Sequence, residues 1–157
     1  MAESIAIKSK KDLTAYWGIS LSINILEHNE IKRILEENPQ LIPLKNIHST
    51  LLYVGKKEDD REKNYIMLEG VLCNLTITEI GVSEKAMALK VNKIIYINDD
   101  KIEKELISFP NQQQHITLAL KQGIKPVDSV KTLLGEGTII ILTKPLIIQG
   151  HIKRYLF

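Results

Sequence analysis

The sequence holds one cysteine, few aromatic residues, no long apolar run and no excess of charge of either sign. A single thiol, Cys73, can make neither an internal disulfide nor a cysteine zinc site. Its strand-like apolar surroundings suit a buried, inert thiol. No apolar run approaches the roughly 18 residues that cross a bilayer, and the polar stretch from Met1 to Leu13 has no signal-peptide pattern. The expectation is an intracellular, cytoplasmic protein without a membrane partner. Lys and Arg total 21 against 19 Asp and Glu, a formal charge of +2. A clamp for long nucleic acid needs a stronger basic excess, and the Lys10-Lys11 and Lys56-Lys57 pairs are too short to supply one. A short nucleotide or small anion fits this balance better. No histidine spacing builds a metal trio, and Gly135-Glu136-Gly137 lacks the Lys-Ser/Thr that would make it a phosphate loop. No metal or other cofactor is expected, and no obligate protein partner is evident.

What the chain does have is isoleucine, whose branched side chain suits the pleated surface of a strand. The 157 residues suffice for a sizeable core in one domain, or in two fused lobes. Tyr16 to Ile25 alternates: Trp17, Ile19, Leu21, Ile23 and Ile25 face one way, and Gly18, Ser20, Ser22 and Asn24 the other. Asn29 to Glu37 has helical spacing and stops at Asn38-Pro39. A strand over Ile47 to Val54 follows, then a charged loop, and a helix over Asp60 to Glu69. Strands are expected over Gly70 to Ile80, Ala86 to Val91 and Ile94 to Ile97, and a helix over Asp99 to Leu106. The turn Phe109-Pro110-Asn111 leads into a strand over His115 to Lys121, broken by Gly123 and Pro126. A short helix over Val127 to Leu134 precedes strands over Thr138 to Leu142 and Leu146 to Leu156, the latter bent at Gly150. The expected class is α+β with mostly antiparallel sheets.

Two tetrapeptides carry the chemistry, His48-Ser49-Thr50-Leu51 and His115-Ile116-Thr117-Leu118. Two of four histidines carrying Thr at the second following position and Leu at the third is an event on the order of one in a few thousand by composition. Side chains two apart on a strand share a face, so His48 lies with Thr50 and His115 with Thr117. Brought together, such faces surround one small space with two imidazoles and two hydroxyls. Two imidazoles can divide the roles of base and acid at a phosphodiester, and the hydroxyls can donate to its non-bridging oxygens. Which histidine takes which role depends on substrate direction. By the same parity Gln113 and Lys121 share the face of His115, and Tyr53 falls off that of His48, towards the core. Tyr16 and Trp17 are candidates for stacking on a base, one facing the core and the other a cleft. His28 reads as a cap-region residue and His151 as structural or exposed.

From about Tyr16 to the end the chain resembles the 2H phosphoesterases, also called LigT-like, whose hallmark is a pair of H-x-[ST]-x motifs ending in an apolar residue. The stretch from His115 to Ser129 is most similar to a branch that holds the cyclic phosphodiesterase modules of tRNA ligases and stand-alone viral proteins. The resemblance implies a single two-lobed domain over residues 1–157, with two mostly antiparallel sheets related by a pseudo-two-fold axis and flanked by helices. It also implies a metal-independent phosphodiesterase with His48 and His115 catalytic and Thr50 and Thr117 on the phosphate. Together with the small, near-neutral domain, it points first to a 2′,5′-linked signalling nucleotide, a cyclic dinucleotide such as 2′,3′-cGAMP or a 2′,5′-oligoadenylate. Cleavage of these would let a viral protein antagonise host immunity. The alternative is 2′,3′-cyclic phosphodiesterase action on RNA 3′ ends in repair. A third is a module that only binds RNA or nucleotide.

Overall fold

A computed structural model describes residues 14–55, 59–106, 114–126, 129 and 132–156. Its strands are β1 (Thr14–Leu21), β2 (Leu41–Pro43), β3 (His48–Tyr53), β4 (Leu72–Val82), β5 (Ala86–Ile97), β6 (Glu103–Glu105), β7 (His115–Lys121) and β8 (Thr138–Leu156). Its helices are α1 (Asn29–Glu37) and the single turn α2 (Lys63–Ile66). The described strands form one sheet in the order β2-β7-β5-β4-β8-β1-β3, with β6 beside β5, and every pairing is antiparallel. No helix among the described residues is long and apolar enough to cross a membrane.

The class is α+β as expected, but the two-sheet, two-lobed architecture with a pseudo-two-fold axis is not what the chain builds. The reason is β8. Thr138 to Leu142 and Leu146 to Leu156 are one strand, which pairs with β4 from Thr138 to His151 and with β1 from Gly150 to Leu156. It therefore joins what would have been two sheets. Pro145 lies in a slip of register between Ile141, opposite Glu79, and Leu146, opposite Ile77. Pairing with β1 begins only at Gly150, so the proline occupies a stretch that no second strand pairs with among the described residues, where its missing N–H costs least. At Gly150 a Cβ would stand 2.6 Å from both Ile19 Cγ2 and Leu21 Cδ2, so the change of neighbour needs a residue without one.

Three other departures have local causes. Ala86 to Val91 and Ile94 to Ile97 are one strand, because Asn92 is a bulge residue and not a break. Ile77 opposes Val91 and Thr76 opposes Lys93, and Asn92 Oδ1 accepts from both N and Oγ1 of Thr78. The helix expected over Asp99 to Leu106 is a hairpin return onto β5. Asn98 Oδ1 accepts from the amides of Asp100 and Ile102, and Lys101 turns at φ 62°; turn chemistry of this kind outweighs weak helical spacing. From Asp60 to Glu69 only a 3-10 turn and α2 form. Tyr65 is buried but Ile66 and Met67 are exposed, so no apolar face extends the helix. α1 begins and ends as expected and buries Ile31 and Ile34. Past β1 the expected alternation gives way to a 3-10 turn over Ile23–Glu27. The Phe109-Pro110-Asn111 turn and half of Val127 to Leu134 lie outside the described residues, and a single helical turn spans Thr132–Glu136.

The core is aliphatic, built on Ile19, Leu51, Leu75, Ile77, Ile80, Leu89 and Ile116, with Trp17 and Tyr65 as its large aromatics. Cys73 is fully buried in it, and burial pushes its thiol up to about 11, which suits the inert role.

Candidate functional site

His48 and Thr50 stand on β3, His115 and Thr117 on β7. Four strands separate these two along the hydrogen-bonded path, yet their side chains meet. The Ser49 hydroxyl donates to the His115 carbonyl at 2.8 Å. Gln114 Nε2 donates to Ser49 Oγ at 2.5 Å and to the Thr50 carbonyl at 2.6 Å. Ser49 and Gln114 are buried, where each such bond is strong and costly to break. This cross-link fixes the spacing of the two motifs. It uses the residue between His48 and Thr50, whose side chain points away from the cleft.

The four motif side chains line one cavity of about 580 Å³, within the range that holds a nucleotide-sized ligand. Its other walls are Tyr16, Tyr53, Leu44 and Pro126. Tyr53 is therefore in the cleft and 68% exposed, contrary to the parity argument that sent it to the core. The cause is a bulge. Gly18 opposes Thr50 and Trp17 opposes Leu52, so Leu51 is an extra residue and the alternation shifts by one beyond it. The second motif does the same: Ala88 opposes Thr117 and Met87 opposes Ala119, which makes Leu118 the extra residue. The final leucine of each motif is thus the bulge residue, buried in the core.

The second bulge removes Lys121 from the face of His115. Its ammonium pairs with Glu84 at 2.9 Å and does not line the cavity. Trp17 is 1% exposed, and its indole N–H donates to Glu62 Oε1 at 2.9 Å; it is a core residue and not a stacking platform. Tyr16 faces the cleft. Gln113 lies outside the described residues, and its neighbour Gln114 makes the cross-link. His28 precedes α1 without a side-chain capping bond, and His151 is exposed.

The two imidazoles sit in different surroundings. His48 is half-buried, its Nδ1 buried without a well-formed hydrogen bond. Its ring centre lies 5.2 Å from that of Tyr16 and 5.5 Å from that of Tyr155. Burial holds His48 below the ordinary imidazole value of 6.5; the backbone of Asn46 opposes this in part, and the nearby charge of His115 adds to it. Thr117 Oγ1 lies 2.6 Å from the buried Ser129 Oγ. When Ser129 donates, the Thr117 proton is free to turn into the cavity.

Sequence reasoning missed Gln114, Ser129 and Tyr155; it turned Ser49 away from the cleft, as found, but left its part open. Tyr155 had a signal, as it alternates with Lys153 in a recognised strand. Its stacking on Tyr16, 4.3 Å between ring centres, depends on β8 pairing with β1, which no local pattern reveals.

No family model matches the chain. Among curated proteins it is 24% identical over 142 residues to O-fucosyltransferase 38 of Arabidopsis thaliana, covering 86% of this chain and 23% of that protein. Among solved structures it is similar to a fungal RNA kinase, with a TM-score of 0.67 and 20% identity over 98% of this chain and 48% of that one. The chain spans less than half the length of either. The second likeness shows that this fold occurs within a fungal RNA kinase.

Proposed function

We propose that the protein is a metal-independent phosphodiesterase that opens 2′,3′-cyclic phosphates at RNA 3′ ends. The observation that carries this reading is the single cavity lined by His48, Thr50, His115 and Thr117. The fold shared with a fungal RNA kinase supports an RNA end over the signalling nucleotide expected first from the sequence. In the proposed reaction His48, kept neutral by burial, takes a proton from water as the water oxygen bonds to phosphorus. The bond from phosphorus to one ribose oxygen breaks, and His115 gives that oxygen a proton. The product is a phosphomonoester. Thr50 and Thr117 donate to the non-bridging oxygens, where charge builds in the transition state.

The decisive experiment offers four substrates in EDTA: an RNA with a 2′,3′-cyclic phosphate, 2′,3′-cGAMP, 3′,3′-cGAMP and 2′,5′-oligoadenylate. Opening of the first is expected. Cleavage confined to the 2′,5′-linked compounds would restore the signalling reading, and loss of activity in EDTA would refute the metal-free mechanism. Nucleotide binding without any cleavage would leave a binding module.

The pH profile tests the base. His48 must be neutral to accept a proton and His115 must carry one to give, so kcat/KM should trace a bell, with the midpoint of its acid limb below 6.5. On the acid side stability should move in the same direction. Below 6.5 the unfolded chain binds a proton at His48 that the folded chain resists, so the folded state loses stability as pH falls towards its lowered value. An acid limb above 6.5 that persists in slow or fast substrates would contradict the assignment of His48 as base.

A further inference from the structure

Beyond Tyr16 lies a second cavity of about 290 Å³ that shares this tyrosine as a wall with the first. Ser20, Lys45, Asn46, Lys153 and Tyr155 also line it. No carboxylate lines it, and among the described residues neither Lys45 nor Lys153 has one within ion-pair distance. In a chain with nearly balanced charge this is a local concentration of cation. Lys45 and Asn46 sit just before His48 in the sequence, and Lys153 opposes Gly18, which in turn opposes Thr50. A Cβ at Gly18 would stand 3.0 Å from the Ser49 carbonyl oxygen, so the glycine lets β1 and β3 run close together beside the tyrosine that the two cavities share. The Lys153 ammonium rests 4.9 Å above the Tyr155 ring, which holds it at the cavity mouth.

We propose that this second cavity is an anion subsite for the phosphodiester next to the reacting phosphate, with Lys45 and Lys153 as its cations and Asn46 and Ser20 as neutral donors. It makes the substrate the end of an oligonucleotide and not a mononucleotide. The proposal rests on the phosphodiesterase reading for the position of the reacting group. Its own content is the flanking phosphate, which a strand possesses and a nucleoside 2′,3′-cyclic monophosphate lacks. Two ammonium groups without a counter-ion among the described residues are suited to it, since each can make a charge-assisted hydrogen bond.

Two measurements test it. The first compares kcat/KM for a nucleoside 2′,3′-cyclic monophosphate and for a short RNA with the same terminus, in the wild type and in the Lys45→Ala/Lys153→Ala double variant. The wild type should prefer the RNA, and the double variant should lose about tenfold or more on the RNA while staying within about twofold on the mononucleotide. Equal losses on both substrates, or no loss on either, would overturn the subsite. The second measurement needs no turnover. A labelled RNA ending in a 3′-phosphate is bound to His48→Ala with and without the two lysine substitutions. The lysine variant should bind at least about tenfold more weakly, with the salt dependence of log affinity shallower by about 0.7 for the phosphate no longer neutralised. Failure of all catalysis with this binding difference intact would defeat the phosphodiesterase reading alone. Catalysis without the difference would defeat the subsite alone.

Discussion

His48→Ala and His115→Ala are each expected to lower kcat at saturating substrate by about 10²–10⁴-fold, the usual worth of a positioned acid or base. The double variant should be little worse than either single one, because two groups that act on one transition state do not contribute additively. Thermal unfolding should change little. Neither imidazole belongs to the apolar core, and His48 Nδ1 has no well-formed hydrogen bond to lose, only the backbone contact with Asn46. His28→Ala and His151→Ala serve as controls, since neither residue lines the motif cavity. Retention of more than about a tenth of kcat in either motif variant, with the fold intact, would end the two-histidine mechanism.

Trp17→Ala carries the largest expected effect on stability. The indole is fully enclosed beside Tyr65, their ring centres 6.0 Å apart, and bonded to Glu62. Truncation of a buried tryptophan costs about 3–5 kcal/mol, a large share of the roughly 5–15 kcal/mol that holds a domain folded. The expected fall in Tm is on the order of 10 °C, measurable by circular dichroism. Trp17→Phe discriminates between roles. It keeps most of the packing and loses the bond to Glu62, so it should cost far less and leave KM for any nucleotide substrate unchanged. A base-stacking residue would behave differently, since loss of such contact costs about 1–3 kcal/mol of binding. A Trp17→Phe variant with normal Tm and a KM raised about tenfold would return the residue to the cleft.

Both results depend on distinctions that the sequence carries unevenly. Alternation put His48 with Thr50 and His115 with Thr117, and both pairs line the cavity. Helical spacing placed α1 to the residue. Parity then failed just past each motif, at Tyr53 and at Lys121, because a bulge at Leu51 and another at Leu118 shifts the phase. A bulge leaves no mark in a pattern of apolar and polar residues when the extra residue is itself a leucine. The unity of the sheet was hidden for a related reason. Thr143-Lys144-Pro145 reads as an interruption, and only the pairing partners of β8 show that the strand continues through it. Ser49, Gln114 and Ser129 act through tertiary contacts and have no local signature.

The reach of β8 has a consequence for how the protein is made. β1 is among the first described strands to be synthesised, yet one of its two neighbours is the last, with Thr14 opposite Leu156. β1 and β3 can pair early, but Tyr155 and Lys153 join Tyr16 only once residues 150–156 exist. Pairings this distant along the chain are slow to form. A nascent chain can therefore hold both histidines and Tyr16 while still lacking Lys153 and Tyr155 of the second cavity, and a chain cut before Gly150 would never acquire them.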